Sequence, residues 1–158
     1  MRIPLTRKAI ALIGLIIGII GLFVTIEYYR ASIDYWLEKR ETFVVGLNSI
    51  TIYCKNGGKL DGDFKLKLRF VNASFSNQTT KPYTQVDNST VKIRFLLHED
   101  ESNQKTVYFT IHEKVNGFSI KLSAGKTNFF GVEKLNPMYP TKLEYKWNEQ
   151  ENIFVLIE

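Results

Sequence analysis

The segment that decides the fold reads FKLKLRF and covers residues 64–70. Hydrophobic side chains alternate in it, one by one, with Lys65, Lys67 and Arg69. Successive side chains of a β-strand point to opposite faces of its sheet. The alternation therefore predicts a strand that buries its aromatic and aliphatic side chains and turns its three cations toward water.

The same period of two recurs along the chain and predicts an all-β domain over residues 42–158. Alternating segments cover residues 107–111, 118–122 and 143–147, and further strands are predicted at residues 42–45, 49–54, 91–97 and 152–157. Asn, Gly and Pro clusters separate these segments, as is typical of turns. Seven to nine short strands with such spacing indicate a β-sandwich or a barrel, and the domain is long enough for one core.

The N-terminal region predicts one transmembrane helix. Residues 9–26 read AIALIGLIIGIIGLFVTI and contain no charged side chain. As a helix they would span about 27 Å, close to the thickness of a hydrocarbon core. This run is longer than the apolar part of a cleavable signal peptide, and no small-x-small cleavage pattern follows it. We therefore expect an uncleaved anchor behind a short tail, residues 1–8; pilin-like processing after Lys8 is the alternative.

The charges that flank this span predict its orientation. Arg2, Arg7 and Lys8 precede it without an acidic residue, whereas acidic and basic residues are mixed after it. Lys39 and Arg40 reduce the contrast between the two sides. Because cytoplasmic flanks carry an excess of Lys and Arg, we expect a cytoplasmic N-terminus and an extracytoplasmic β-domain. The predicted location is the cell membrane, crossed once.

Residues 27–41, EYYRASIDYWLEKRE, are predicted to continue the helix as a juxtamembrane stalk. Apolar residues recur there at helical spacing, which defines one apolar face. Aromatic side chains with one polar edge suit the boundary between lipid and water. The residues expected at that boundary are Tyr28, Tyr29, Tyr35 and Trp36.

Three glycines within the span, Gly14, Gly18 and Gly21, form a G-x-x-x-G-x-x-G pattern. Small residues at this spacing allow two membrane helices to approach closely. The pattern indicates self-association or contact with another membrane protein. The alternative is that glycine is simply frequent in membrane helices.

The charge balance adds a candidate contact surface. The 158 residues contain 21 Lys and Arg against 16 Asp and Glu, a net charge of +5. Lys92 and Arg94 alternate with apolar residues on a neighbouring predicted strand and extend the basic stripe of Lys65, Lys67 and Arg69. Such a stripe suits anionic lipid headgroups, glycans or an acidic partner. The alternative is a solvated face that resists edge pairing. Nucleic acid is not an expected partner outside a membrane.

Residues 72–90, NASFSNQTTKPYTQVDNST, are predicted to form a polar surface loop with three N-x-[ST] sequons. The acceptor residues are Asn72, Asn77 and Asn88. Three sequons in one segment on the predicted external side favour N-glycosylation. The alternative is a Ser-, Thr- and Asn-rich loop in which the sequons arise by chance.

Few residues could support catalysis or hold a metal. Cys54 is the single cysteine, so neither an intrachain disulfide nor a cysteine-based zinc finger is expected. We predict that it is buried; a disulfide between two chains is the alternative. His98 and His112 could meet only if residues 91–97 and 105–112 formed a hairpin, and a third ligand is missing. We expect no catalytic residue, no metal and no cofactor.

One segment resembles a known family. Residues 50–68, ITIYCKNGGKLDGDFKLKL, resemble the opening hairpin of CARDB-type immunoglobulin-like modules, in which a strand, an Asn-Gly turn and a Gly-x-Phe motif lead into the next strand. The resemblance implies an extracytoplasmic adhesion or scaffold module without catalytic residues. Residues 72–90 interrupt the spacing of that family. The layout of one helix under a β-sandwich is also similar to archaeal envelope proteins, including archaellum stator subunits.

These observations predict a membrane-anchored, non-catalytic structural or accessory subunit of a larger membrane or cell-envelope complex. Its expected partners are the lipid bilayer, other membrane or envelope subunits, or a second copy bound through the glycine-rich helix. A surface adhesion or ligand-binding module, including a self-assembling pilin-like subunit, is the alternative. An enzyme or metal-binding subunit that uses His98, His112 and the acidic loop of Glu99, Asp100 and Glu101 is the third hypothesis.

Overall fold

The computed structural model describes residues 6–79, 81–124 and 133–157, apart from the side chains of residues 26–29 and 133. The N-terminal helix α1 covers Arg7–Tyr29. The strands described after it are β1 Ala31–Leu37, β2 Thr42–Phe43, β3 Gly46–Asn56, β4 Gly62–Val71, β5 Ala73–Phe75, β6 Tyr83–Asp87, β7 Thr90–Leu97, β8 Ser102–Ile111, β9 Gly117–Ala124, β10 Glu133–Pro137, β11 Lys142–Asn148 and β12 Ile153–Ile157.

The strands form two sheets packed as a sandwich. The five-stranded sheet has the order β10-β1-β3-β8-β5, and the seven-stranded sheet has the order β2-β12-β11-β9-β4-β7-β6. All neighbouring strands are antiparallel except β1 and β10, which are parallel. The predicted all-β sandwich behind one apolar helix is confirmed, with more strands than the seven to nine expected.

The core forms where the two inner faces meet, because each long strand buries every second side chain. Strand β4 alternates buried and exposed residues along its whole length, as its sequence predicts. Phe109 from the five-stranded sheet stacks on Phe70 from the seven-stranded sheet, with 4.8 Å between ring centroids. Phe43, on β2 of the seven-stranded sheet, packs edge-on against the same Phe109, with ring centroids 5.4 Å apart. These aromatic contacts join the sheets across the middle of the sandwich.

Helix α1 is separate from this core. Its segment Arg7–Thr25 has a mean hydropathy of 2.4, and no part of it is buried against the sandwich. The side chains that it exposes are almost all aliphatic or glycine. A helix long and apolar enough to span a bilayer, followed by a β-domain, is consistent with a single-pass membrane protein.

The predicted helical stalk over residues 27–41 is wrong beyond Tyr29. Residues Ala31–Leu37 form strand β1, which pairs with β3 on one side and β10 on the other. The apolar residues of this segment alternate with Ser32, Asp34 and Trp36, so a period of two competes with the helical spacing. Pairing on both sides of β1 satisfies its backbone and buries its inner face. Tyr35 is therefore a core residue with 4% exposure and does not lie at a membrane boundary.

Three further expectations about connections are corrected. Residues 72–90 contain two strands, β5 and β6, so they are not simply a loop. Segment 50–68 is not a hairpin, because β3 and β4 belong to different sheets. The strands β7 and β8 also lie in different sheets, which removes the hairpin that would have brought the two histidines together. For segment 50–68 and for the histidine strands, pairing with other strands replaces pairing between neighbours in the sequence. Within residues 72–90, β5 pairs with the more distant β8, whereas β6 pairs with the next strand, β7.

Cys54 lies in the core, as predicted, with 1% exposure. Burial raises the pKa of its thiol to about 12. The thiolate is the reactive form, so both low access and a high pKa suppress its reaction with maleimide or disulfide reagents. We expect native Cys54 to react about two orders of magnitude more slowly than an exposed thiol, and to react fully once the sandwich unfolds.

Labelling of the full chain in mild detergent measures this rate, since every modified thiol is Cys54. A chain carrying Cys54→Ser and Ser102→Cys supplies an exposed thiol on the neighbouring strand β8 as the reference. Equal labelling rates for the folded wild type and for the folded chain with Cys54→Ser and Ser102→Cys would contradict the buried position of Cys54.

Candidate functional site

The junction between the helix and the sandwich is short and closely packed. Helix α1 ends at Tyr29 and strand β1 begins at Ala31, so Arg30 alone separates them. Both Ala31 and Ile33 are completely buried. The core of the sandwich thus starts one residue after the helix, and no flexible linker lies between them.

A buried asparagine fixes this junction. The side chain of Asn56, at the end of β3, has no exposed surface. Its Oδ1 accepts hydrogen bonds from the amides of Ser32 (3.3 Å) and Gly58 (2.9 Å). Its Nδ2 donates to three carbonyl oxygens, those of Leu60 (2.8 Å), Leu97 (3.3 Å) and His98 (3.0 Å). One side chain therefore ties β1 of the five-stranded sheet to the end of β7 in the other sheet.

Two glycines complete what we call the junction clamp, Asn56-Gly57-Gly58. The Gly57 amide donates to the Ser32 carbonyl at 2.8 Å. A Cβ atom added to Gly58 would lie 2.3 Å from the Arg30 carbonyl oxygen and 2.4 Å from the Ser32 nitrogen. Only glycine allows the chain to pass this close to the junction. The sequence indicated a turn at these residues, and it did not reveal that the turn holds β1.

The predicted basic stripe lies on one surface, the outer face of the seven-stranded sheet. Lys65, Lys67 and Arg69 are exposed on β4, and Lys92 and Arg94 are exposed on β7 beside them. Arg94 forms a two-pronged pair with Asp63, with Nε–Oδ1 at 2.7 Å and Nη2–Oδ2 at 2.5 Å. This hydrogen bonding lowers the pKa of Asp63. Arg94 is thus partly neutralised, and its charge contributes less to the basic face.

The sheet register adds two cations that the stripe did not include. Lys121 on β9 lies opposite Arg69, and Lys142 on β11 lies opposite Lys121. The alternation of β9 indicated that Lys121 points outward. Its position beside Arg69 depends on the order of the strands, which periodicity does not specify.

The outer face of the five-stranded sheet is polar and aromatic by contrast. Trp36 stacks on Tyr53, with ring centroids 5.7 Å apart and an interplanar angle of 13°. Gln104 lies opposite Tyr53 on β8. Ser102 and Asn103 line the same shallow depression, whose volume is about 360 Å³. We call this surface the aromatic shelf; Trp36, predicted at the membrane boundary, belongs to it.

The remaining boundary and helix residues lie in α1. Tyr28 and Tyr29 are in its last turn, and their side chains fall outside the described part. A Cβ atom added to Gly14, Gly18 or Gly21 would meet nothing within 4 Å. The glycine face of the helix is therefore uncovered by the rest of the described chain.

The three sequon asparagines are all exposed. The Asn72 amide donates to the Gly117 carbonyl at 2.9 Å. Asn77 lies in the turn after β5, and Asn88 lies in the turn between β6 and β7. The hydroxyl residues of the second and third sequons, Thr79 and Thr90, are buried, and Thr79 Oγ1 accepts from the Tyr108 amide at 2.9 Å. The hydrogen bond from Tyr108 gives Thr79 a structural role, which explains this threonine without glycosylation of Asn77.

The two histidines lie at opposite ends of the sandwich and form separate contacts. His98 Nδ1 is 2.9 Å from Asp61 Oδ2, and His112 Nε2 is 2.6 Å from Ser74 Oγ. Within residues 6–79, 81–124 and 133–157, no group of three or more His, Cys, Asp or Glu side chains is arranged to hold a metal. This placement of the two histidines does not support the hypothesis of an enzyme or metal-binding subunit.

Asp61 should control the titration of His98. Hydrogen bonding to Asp61, and then its charge, raises the pKa of His98 above its usual value. Stability that depends on a raised pKa is present at low pH and is lost as the pH rises through the folded-state pKa. Both side chains are exposed, so this effect on stability is small. Asp61→Asn should lower the pKa of His98 measured by NMR titration, and Asp100→Asn should lower it less. Equal decreases would contradict the contact.

Comparison with known protein families finds no family that matches this chain. Comparison with curated proteins likewise finds no relative of significant sequence similarity. The class of the protein therefore follows from its architecture alone: a β-sandwich joined directly to a helix able to span a membrane.

Proposed function

We propose that this chain is a non-catalytic accessory subunit of a larger membrane or cell-envelope complex, anchored by α1 and acting through contacts of its helix and its sandwich. The single observation that carries the proposal is the junction clamp. A free-standing domain that only captures ligands needs no fixed distance from its anchor. A subunit whose helix binds a partner within the bilayer while its sandwich binds a partner in water does need a fixed distance between the two.

The flanking charges support an N-terminus in the cytoplasm and a sandwich outside it. In that orientation Asn72, Asn77 and Asn88 are accessible to N-glycosylation. The uncovered glycine face of α1 supports a helix–helix contact within the bilayer. The predicted likeness in layout to archaeal envelope proteins, one helix under a β-sandwich, agrees with this proposal.

Crosslinking in native membranes tests the proposal. The full chain is recovered in mild detergent through a C-terminal tag, and the proteins bound to it are identified. We expect membrane subunits in fixed stoichiometry, and we expect Gly14→Leu with Gly18→Leu to lose them. Ile16→Leu with Ile20→Leu, on another face of the helix, is the control. Recovery of this chain alone, from wild type and control alike, would overturn the accessory role.

The second candidate is a surface adhesion or ligand-binding module, including a pilin-like subunit that polymerises through α1. The aromatic shelf favours it, since a stacked Trp36 and Tyr53 beside Gln104 offers a binding surface of mixed character. N-terminal sequencing of the mature protein separates a pilin from an anchor. A first residue at Ala9 would support processing, and an intact tail would exclude it.

A further inference from the structure

Three exposed cations stand in a row on the outer face of the seven-stranded sheet, on strands that are not at its edges. Arg69, Lys121 and Lys142 occupy directly opposed positions on β4, β9 and β11. Adjacent strands are about 4.8 Å apart, so the row measures about 10 Å. We call these three residues the cation row. Lys67 and Lys92 form a second opposed pair beside it, two residues away along β4.

This arrangement works against the stability of the sheet. Like charges directly opposite each other on neighbouring strands are destabilising. Lys142 is paired with Glu144 at 2.5 Å. Arg69 and Lys121 have no carboxylate within salt-bridge distance among the residues that the structure describes. Repulsion at these positions is therefore largely uncompensated within the described chain.

Protection of a sheet edge does not explain these charges. Edge strands use lysine to prevent pairing with other chains. In this sheet β4, β9 and β11 each have a neighbour on both sides, and the edges are β2 and β6. A cost to the fold with no edge to protect suggests that the charges serve a ligand.

We propose that the cation row binds a linear polyanion, specifically an acidic polysaccharide. The cations recur at about 4.8 Å between strands and about 6.8 Å along β4. They lie on an open sheet face, which suits an extended chain with repeated negative charges better than a small compact anion. The inference does not depend on the proposed complex, because a free-standing module could use the same face.

The row lies toward the end of β4 that is far from the junction, which favours a polymer over the headgroups next to the junction. A Cβ atom on Gly62, at the start of β4, would lie 3.4 Å from Ala31 Cβ at the junction. Arg69 is seven residues further along the strand, about 24 Å away. At physiological salt, charges are screened beyond about 8 Å. Lipid headgroups at the junction would therefore interact weakly with the row.

Titration of the full chain in neutral detergent with heparin, and separately with alginate, tests the proposal. The variant Arg69→Gln with Lys121→Gln removes two cations from the row. Lys55→Gln with Lys134→Gln removes two exposed cations from the other sheet and gives the same net charge. We expect the row variant to lose about tenfold in affinity for both polymers, and the control to lose about twofold or less. Binding should also weaken as salt is raised.

Several outcomes would overturn the proposal. Equal losses in the two variants would mean that net charge alone attracts the polymer. Tighter binding of polyglutamate than of either polysaccharide would point to an acidic protein. Binding to phosphatidylcholine vesicles only when they contain phosphatidylglycerol, without binding to polysaccharide, would point to lipid. The row variant is expected to unfold at or above the wild-type temperature, because it removes opposed like charges; unfolding at a lower temperature would overturn the premise that these charges cost the fold stability and would attribute the lost affinity to a loss of fold.

Discussion

A chain carrying Gly58→Ala should lose about 3 kcal/mol of folding stability, measured by denaturant unfolding of the full chain in mild detergent. The added methyl would meet the Arg30 carbonyl oxygen at 2.3 Å and the Ser32 nitrogen at 2.4 Å. Both are backbone atoms, which cannot move aside as a flexible side chain can. The start of β1 must therefore shift outward, and the hydrogen bond from the Gly57 amide to the Ser32 carbonyl is strained or broken.

The neighbouring glycine supplies a matched control. A Cβ atom on Gly57 would meet nothing within 4 Å, and its backbone does not have a positive φ. Gly57→Ala should change stability by about 0.5 kcal/mol or less, since it removes a little freedom from the unfolded chain. Similar losses for both variants would mean that loop flexibility matters at this turn, and that close packing against the junction does not.

The strands with strict alternation were predictable from sequence because one local pattern decides them. Residues 64–70 contain apolar and basic side chains in perfect alternation, and β4 has that structure. Residues 31–37 satisfy two periods at once, and pairing with β3 and β10 decides between them. Those partners lie far away in the sequence, so the local pattern could not identify β1 as a strand.

The candidate surfaces were likewise predictable only as far as local alternation determines them. Alternation within β4 and β7 was enough to place Lys65, Lys67 and Arg69 on one face. The alignment of Arg69, Lys121 and Lys142 requires the strand order and register, which arise from contacts between distant segments. The role of Asn56 was equally hidden, because its partners Ser32 and Leu97 lie 24 and 41 residues away.

Asn56→Ala should be at least as damaging as Gly58→Ala, with an expected loss of about 3–4 kcal/mol. The substitution removes the acceptor for the Ser32 and Gly58 amides and the donor to three carbonyl oxygens. A buried polar group that loses its partner costs about 1–3 kcal/mol. Asn103→Ala, an exposed asparagine on the adjacent strand β8, is the control and should cost less than about 0.5 kcal/mol.

Two more substitutions distinguish hydrogen bonding from packing at Asn56. Asn56→Leu restores most of the volume without any polar atom, so it should remain about as unstable as Asn56→Ala if hydrogen bonds stabilise the clamp. Asn56→Asp keeps the acceptor and places a buried carboxylate against three carbonyl oxygens, which raises the pKa of that carboxyl. Its stability relative to wild type should therefore improve as the pH falls and the acid regains a proton to donate. Two results would show that the clamp acts by filling space. One is wild-type stability in Asn56→Leu, and the other is a loss of folding stability in Asn56→Asp that stays the same at every pH. The fixed spacing between helix and sandwich would then rest on the close packing of Gly58 and on the hydrogen bond from the Gly57 amide to the Ser32 carbonyl.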